Sequence, residues 1–261
     1  MRKGTVAVVG CGWLGFRLSL KLLSEGYTVY GTTTSEEKVF ELEAAGIKAS
    51  VLKLPIVDFQ ASAKTLDSDS VPHPTSQISR PIWSADQLII NIPPSRKNRA
   101  SAPATNVGLP TSQGDKTYPA AVLSALLMYR RNNPSGRIIF TSSIGVYGKD
   151  HGQAIDRDTR LPIENPSVRQ ASLLLAESQV QTQSQRPHRI LRLGGLYGGS
   201  RDPQKWFAGR EIPRPNDPIN LVNREQVITE IVELLDEPFW VGESVFNVVG
   251  SEHPRRGDFY R

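Results

Sequence analysis

The first 54 residues alternate between short β-branched runs and longer stretches whose hydrophobic residues have helical spacing. The run TVAVVG at 5–10 predicts a buried strand, and the helically spaced leucines of 13–26 predict a helix that a glycine ends. A second strand at 27–33, a helix at 35–46 and a third strand at 47–54 follow. This β-α-β-α-β order is typical of a parallel sheet with crossover helices.

Two polar segments interrupt the alternation farther along the chain. Residues 59–84 are rich in Ser, Asp, Pro and Thr and predict a surface insertion with little structure of its own, and 95–117 predicts another loop. Further strands are predicted at 85–94, 136–143, 188–198 and 244–250, and further helices at 118–133, 167–183 and 223–237. We therefore expect an α/β fold, a doubly wound parallel sheet (Rossmann) in one domain, 1–261, with a small C-terminal lobe at 198–220 and 240–261.

Composition narrows the class of protein. The single cysteine, Cys11, excludes an internal disulfide framework and a Cys-rich zinc site, and we expect no metal. No apolar run approaches the ~18 residues that span a bilayer, and the N-terminus is interpreted as a strand rather than a secretory signal, so we expect a cytoplasmic protein that binds no membrane. The net charge is +5, but its basic groups lack interleaved stacking aromatics. We expect no nucleic-acid partner, a small-molecule substrate, and a monomer or homodimer.

The loop between the first strand and the first helix carries a G-x-G-x-x-G motif. Gly10 permits the tight turn, Gly12 lets the backbone approach a pyrophosphate, and Gly15 lets helix and strand pack closely. The helix N-terminus, with the backbone N–H groups of Trp13 and Leu14, then faces the phosphates. This context predicts a dinucleotide-binding site, although a glycine-rich turn of this type can also be purely structural.

The end of the second strand predicts which dinucleotide binds. An NAD site usually has an acidic residue about 20 positions beyond the glycines. This chain has hydroxyl side chains there, Thr33, Thr34 and Ser35, and its first carboxylate is Glu36. A 2′-phosphate is therefore not repelled, and Lys38 either reaches it or faces water. We expect NADP, with NAD as the alternative.

Several segments resemble one enzyme family over nearly the whole chain. GCGWLG, IIFTSSIGVYG, LRLGGLYGGSRDPQKWFAG and FNVVGSEHPRRGDFY follow one another in that family's order. The chain resembles the extended short-chain dehydrogenase/reductases, the NAD-dependent epimerase/dehydratase family, and more closely its atypical YeeZ-type bacterial members. The resemblance implies a Rossmann fold, a nicotinamide cofactor, and a catalytic Ser, Tyr and Lys. Family members tend to continue beyond the segment that ends here at Arg261, so we expect part of the small lobe to be missing.

The catalytic residues that the resemblance implies are only partly present. Ser143, four residues before Tyr147, matches the catalytic Ser; its alternative role is to tie down the loop that follows. Tyr147 matches a tyrosine that is mostly architectural. Arg169 and Leu173 stand where the family has its Tyr and Lys. Arg169 is a poor proton shuttle because it stays protonated, but it can bind an anionic group or stabilise developing negative charge.

Other residues are weaker candidates for a role in the site. His151 and Asp156 follow the Ser143 strand and are possible acids, although surface and turn positions are the simpler interpretation. Arg201 and Arg210 flank the small lobe and either grip an anionic substrate or face solvent. Where the family often has a His and an Asp, near Asn223 and Gln226, both are absent.

Two functions remain open from the sequence. The first is an NADP-dependent oxidoreductase or epimerase acting on a carbonyl or nucleotide-sugar-like compound, with Ser143 polarising the substrate oxygen. The second is a non-catalytic NADP(H)-binding sensor or scaffold protein. The absent Tyr–Lys pair favours the second, and fold-level analogy favours the first.

Overall fold

The central feature of the computed structural model is a parallel sheet of seven strands. The structure describes residues 3–56, 80–94, 113–148, 166–183, 187–241 and 244–260. The strand order is β3-β2-β1-β4-β5-β6-β9, which confirms the doubly wound arrangement. The strands of this sheet are β1 (Thr5–Val9), β2 (Thr28–Thr33), β3 (Lys48–Val51), β4 (Gln87–Ile90), β5 (Arg137–Ser143), β6 (His188–Leu193) and β9 (Val245–Val248).

Helices cover both faces of the sheet. In the described part of the chain they are α1 (Trp13–Ser24), α2 (Glu36–Ala44), α3 (Arg80–Trp83), α4 (Gln113–Asn132), α5 (Val168–Gln183), α6 (Arg224–Asp236) and α7 (Arg256–Phe259). One hydrophobic cluster joins the sheet to α1, α2 and α6, and a second joins it to α3, α4 and α5. The described helices include none that is long and apolar enough to cross a membrane.

The β-branched runs form strands because both of their faces are buried. In β1, Val6 and Val8 lie in the first cluster, while Ala7 and Val9 lie in the second. A strand covered on both sides loses the alternation of polar and apolar residues that marks a half-exposed strand. The near-continuous hydrophobic pattern of TVAVV therefore reflects a central position in the sheet.

A second, two-stranded sheet belongs to the C-terminal part of the chain. β7 (Gly195–Tyr197) pairs in parallel with β8 (Leu221–Asn223), and Tyr197 is the register partner of Asn223. The Asn223 side chain then accepts a hydrogen bond from the Glu225 backbone N–H and caps α6. This small sheet lies where the sequence predicted one longer strand, 188–198, followed by irregular structure.

The structure corrects the sequence prediction at two helices. Residues 80–83 form α3 inside the segment expected to be unstructured, and Ile82 and Trp83 are among the most buried side chains. α4 begins at Gln113, five residues before the predicted start. A helix of four residues is too short to show a helical period of hydrophobic residues, and α3 was therefore not predicted. The rest of the predicted loops, and His151 and Asp156, lie outside the described residues.

The packing of α1 leads to a stability prediction. Leu18 is fully buried between α1 and the sheet, whereas Leu175 on α5 is 52% exposed. We expect Leu18→Ala to lower the free energy of unfolding by about 2–5 kcal/mol, because it leaves a cavity. The matched change Leu175→Ala should alter it by less than about 0.5 kcal/mol. Urea denaturation of both variants measures this, and equal effects would contradict the assigned packing of α1.

Candidate functional site

The crevice between β1 and β4 is the candidate binding site. The strand order reverses direction between these two strands, and in open α/β sheets ligands bind outside the carboxyl ends of the strands at such a point. Gly10 directly follows β1, and Asn91 directly follows β4. The glycine motif therefore lies at the position in the fold where a dinucleotide crevice is expected.

The three glycines of the motif meet different surroundings. Gly10 has a φ of +104°, and a side chain there would collide with the Asn91 carbonyl. A side chain at Gly15 would collide with the Gly10 carbonyl, because α1 approaches the strand end this closely. At Gly12, by contrast, an added Cβ would meet no described atom within 4 Å. Gly10 and Gly15 thus serve packing, and Gly12 borders open space.

Two strand-end residues hold the loop in place. The Gly10 N–H donates to Thr32 Oγ1 at 3.0 Å, and the Cys11 N–H donates to the Thr32 carbonyl at 2.8 Å. Asn91 Nδ2 donates to the Gly10 carbonyl at 3.0 Å, while Thr141 Oγ1 donates to Asn91 Oδ1 at 3.0 Å. The sequence analysis did not identify Thr32 and Asn91 as residues that support the loop. Both are polar residues near the ends of predicted strands, and that pattern could have indicated them.

The first turn of α1 presents its backbone to this open space. The first intrahelical hydrogen bond runs from the Phe16 N–H to the Gly12 carbonyl at 2.9 Å. The N–H groups of Trp13, Leu14 and Gly15 therefore precede the helical hydrogen-bond ladder. The Leu14 side chain is buried under the helix and the Trp13 side chain is half-buried. This end of the helix combines aligned N–H groups with the positive end of the helix dipole.

Cys11 points away from the open side of the loop. Its thiol is 2% exposed and lies 3.6 Å from Ser19 Oγ. Burial raises the pKa of the Cys11 thiol, so it stays protonated near neutral pH. Cys11 is therefore a packing residue of the loop.

The end of β2 and the start of α2 form the second part of the crevice. Thr34 is exposed, whereas Thr33 is buried and its Oγ1 accepts a hydrogen bond from the Ser35 N–H at 3.4 Å. Ser35 caps α2 by accepting from the Lys38 N–H, and its hydroxyl donates to Glu37 Oε2 at 3.1 Å. Lys38 is exposed, and its charge acts to lower the pKa of the Cys11 thiol against the larger effect of burial. Lys38 thus lies in the first turn of α2, which follows the end of β2.

Ser143 and Arg169 converge on Gly145. Ser143 Oγ accepts a hydrogen bond from the Gly145 N–H at 3.1 Å and caps the 3-10 turn Ile144–Tyr147. A Cβ at Gly145 would lie 3.3 Å from Ser143 Oγ and 3.7 Å from Arg169 Nε. Ser143 Oγ and Arg169 Nε are therefore at most 7.0 Å apart. Leu173 Cδ1 would be 3.4 Å away, and its side chain is 1% exposed. The structure thus brings both candidate catalytic residues together, with a buried leucine beside them.

A buried polar network lies directly behind this pair. Ser142 Oγ donates to Glu177 Oε1 at 2.6 Å, and Glu177 forms an ion pair with Arg192 at 2.8 Å. Arg192 also donates to the Tyr147 hydroxyl at 2.8 Å, which in turn donates to Asn247 Oδ1 at 2.7 Å. The network connects β5, α5, β6 and β9, so it fixes the strand that ends at Ser143 relative to the helix that carries Arg169. The Tyr147 hydroxyl thus lies between Arg192 and Asn247 in this network.

The remaining sequence candidates lie in the C-terminal part of the chain. The Arg201 guanidinium carbon lies 4.1 Å from the centre of the Trp13 ring, at the glycine loop. Arg210 instead contacts Phe207 and the Trp206 carbonyl within the lobe. Gln226 is exposed on α6. Among the described residues no cluster of side chains could hold a metal ion.

The contrast between Gly10 and Gly12 predicts opposite stabilities for matched variants. Gly10→Ala forces a side chain into a left-handed conformation and against the Asn91 carbonyl, so we expect it to lower the free energy of unfolding by at least about 1–3 kcal/mol. Gly12→Ala should lower it by no more than about 1 kcal/mol, because the added methyl meets no described atom and the cost is limited to the weaker preference of alanine for this N-cap position. Thermal unfolding without ligand measures both. A Gly12→Ala protein as unstable as Gly10→Ala would show that the space at Gly12 is filled.

Comparison with known proteins places the chain in a family. No family model matches it. It is 32% identical to Protein YeeZ of Escherichia coli strain K12 over 258 residues, which cover 98% of this chain and 81% of the relative. Its fold is similar to the Bacillus cereus UDP-glucuronic acid 4-epimerase in complex with UDP-glucuronic acid and NAD (TM-score 0.65, 16% identity, covering 96% of this chain and 79% of that one). It is also similar to the Bordetella bronchiseptica enzyme WbmH in complex with NAD+ (TM-score 0.65, 15% identity, covering 98% and 79%). The chain belongs to the YeeZ family, and it shares the fold of the two NAD-complexed enzymes named above.

Proposed function

We propose that this protein binds a nicotinamide dinucleotide in the crevice between β1 and β4. The observation that carries the proposal is the open space at Gly12, in a loop where the other two glycines are closely packed. A pyrophosphate in that space accepts hydrogen bonds from the N–H groups of Trp13, Leu14 and Gly15 and lies at the positive end of the α1 dipole. The family relatives whose structures contain NAD support the same group of ligands.

The ribose end of the crevice favours NADP over NAD. The exposed residue at the end of β2 is Thr34, and no carboxylate occurs among residues 31–35. A 2′-phosphate beside Thr34 faces the N-terminus of α2, and Lys38 is near enough to neutralise part of its charge. The Glu37 carboxylate opposes this preference, because it is negatively charged and already accepts the hydrogen bond that the Ser35 hydroxyl could donate to a phosphate. We propose that Thr33 and Ser35 stabilise the loop and that Thr34 and Lys38 contact the 2′-phosphate.

Ser143 and Arg169 are the residues that we propose act on the substrate. The Ser143 oxygen accepts the Gly145 N–H, which leaves the hydroxyl hydrogen to donate to a substrate oxygen. Arg169 carries a permanent positive charge within 7.0 Å of that hydroxyl, and the charge stabilises an oxyanion. The nicotinamide, when bound, supplies or accepts the hydride. The substrate oxygen then exchanges its proton with water, since Leu173 and Arg169 do not transfer protons. The proposed activity is an NADP-dependent oxidoreductase or epimerase acting on a carbonyl or nucleotide-sugar-like compound.

A second function is favoured by one specific observation. Leu173, at the position of the family's lysine, is buried among apolar side chains of α4 and α5. General acid–base catalysis contributes about 10²–10⁴-fold to such reactions. A chain without that contribution keeps its dinucleotide crevice intact, which suits an NADP(H)-binding sensor or scaffold. Binding with no turnover on any carbonyl compound would support this second function.

The proposed cofactor preference is tested by titration with NADPH and NADH. We expect NADPH to bind more tightly, and Lys38→Ala to weaken NADPH binding by about 3- to 10-fold with little effect on NADH, because an exposed ion pair is worth about 1 kcal/mol. Lys48→Ala is the matched control, since Lys48 is exposed and contacts the Tyr30 ring. NADH binding as tight as NADPH binding would contradict the preference.

The proposed catalytic pair is tested by following NADPH absorbance with a panel of aldehydes, ketones and nucleotide sugars. We expect Ser143→Ala and Arg169→Leu each to lower kcat by about 10²-fold, because each removes stabilisation of the oxyanion. Their affinity for NADPH should be unchanged. Ser178→Ala, an exposed serine on α5, serves as the control. Turnover that survives both substitutions would show that the chemistry takes place elsewhere.

A further inference from the structure

Two arginines from the C-terminal half of the chain contact the first residue of the glycine-loop helix. The guanidinium carbons of Arg201 and Arg224 lie 4.1 Å and 4.4 Å from the centre of the Trp13 ring. Arg224 Nη1 also donates to the Trp13 carbonyl at 3.5 Å. Contacts of a cation with an indole ring at this distance are attractive, and more so when the cation is shielded from water. We call Trp13, Arg201 and Arg224 the tryptophan clamp.

The loop after β7 and the start of α6 bring the two clamp arginines to Trp13. Arg224 is the first residue of α6 and directly follows the cap residue Asn223. A Cβ at Gly199 would lie 2.9 Å from Arg224 Nη2, so the loop after β7 lies directly against that guanidinium. Arg201 closes the same loop by a bridge to Gly198. The loop that carries Arg201 and the helix that carries Arg224 thus reach Trp13 together.

The charge distribution around the clamp is asymmetric. The Arg224 side chain is 10% exposed, whereas its carboxylate partner Glu225, at 3.0 Å, is 55% exposed. Solvent therefore screens the negative charge more effectively than the positive one. Glu225 also pairs with Arg17 of α1 at 3.8 Å, so its negative charge is shared between two arginines. The clamp leaves net positive charge beside the N-terminus of α1.

Trp13 itself connects the clamp to the proposed pyrophosphate position. Its backbone N–H is one of the groups that precede the helical ladder, and its indole Nε1 is buried with no hydrogen-bond partner among the described residues. The ring is thus held by the arginine contacts and by packing rather than by an indole hydrogen bond. The Arg224 guanidinium thus contacts both the ring and the carbonyl of Trp13.

We propose that Arg224, assisted by Arg201, is a positioning residue for dinucleotide binding and that it couples the glycine loop to the small lobe. The proposal rests on the proposed function of the crevice. Arg224 orients the Trp13 peptide and adds positive charge beside the pyrophosphate. Because energetic coupling between two sites is reciprocal, a ligand held at the loop also stabilises the loop that carries Arg201.

The first test measures NADPH affinity by calorimetry for a matched set of variants. We expect Arg224→Met to weaken binding by about tenfold, within the usual range of coupling between sites. Arg224→Lys, which keeps the charge but loses the planar contact, should recover part of the loss. Arg17→Met is the control: it removes a neighbouring charge that also pairs with Glu225 but makes no clamp contact, and it should stay within about twofold of the wild type. Equal losses for Arg224→Met and Arg17→Met would overturn the proposal.

The second test separates coupling from general stability. Amide hydrogen exchange of residues 198–210 should slow when NADPH binds the wild type, and should respond much less in Arg224→Met. Arg201→Met should also reduce the slowing of exchange. Because Arg201 is exposed, this variant keeps the test informative if Arg224→Met does not fold. Unchanged exchange in an NADPH-saturated wild type would overturn the coupling. Failure of the wild type to bind NADPH at all is a different result, because it would refute the proposed function itself.

Discussion

The close approach of α1 to the end of β1 is the constraint on which the rest of the site depends. Gly15 lies against the Gly10 carbonyl with no room for a side chain, and Asn91 hydrogen-bonds to the same carbonyl. This contact aims the first turn of α1 at the point where the strand order reverses. Gly12 is left as the residue beside open space. The crevice is therefore a consequence of how one helix packs on one strand.

A buried ion pair fixes the position of the helix that carries Arg169. Glu177 and Arg192 form a buried ion pair that holds α5 against β5 and β6, and breaking such a pair typically costs about 3–5 kcal/mol. The backbone that carries Ser143 and Arg169 is thus held in place, and the neighbouring Leu173 is buried. A site that is preorganised in this way can stabilise an oxyanion with Ser143 and Arg169 or simply hold a dinucleotide; the two outcomes differ in chemistry, not in fold.

Local patterns predicted most of the fold, and long-range contacts explain what they missed. The alternation of β-branched runs and helical leucines predicted the strands of the sheet and most of the helices that cover it, because those elements bury one or two complete faces. Helix α3 was missed since four residues show no period, and its buried Trp83 depends on neighbours far along the chain. The glycine motif located the crevice, but Asn91 and the contact of Arg224 with Trp13 join residues about 80 and 211 positions away from the loop. No local pattern signals such pairs.

The most direct measurement of the central claim is a calorimetric titration of NADPH into the wild type and Gly12→Ala. If the open space at Gly12 receives the pyrophosphate, the wild type binds one equivalent and Gly12→Ala binds at least about tenfold more weakly, a loss of about 1.4 kcal/mol. The free energies of unfolding of the two ligand-free proteins should differ by no more than about 1 kcal/mol. Equal affinities in the two proteins, or no binding by the wild type, would contradict the account.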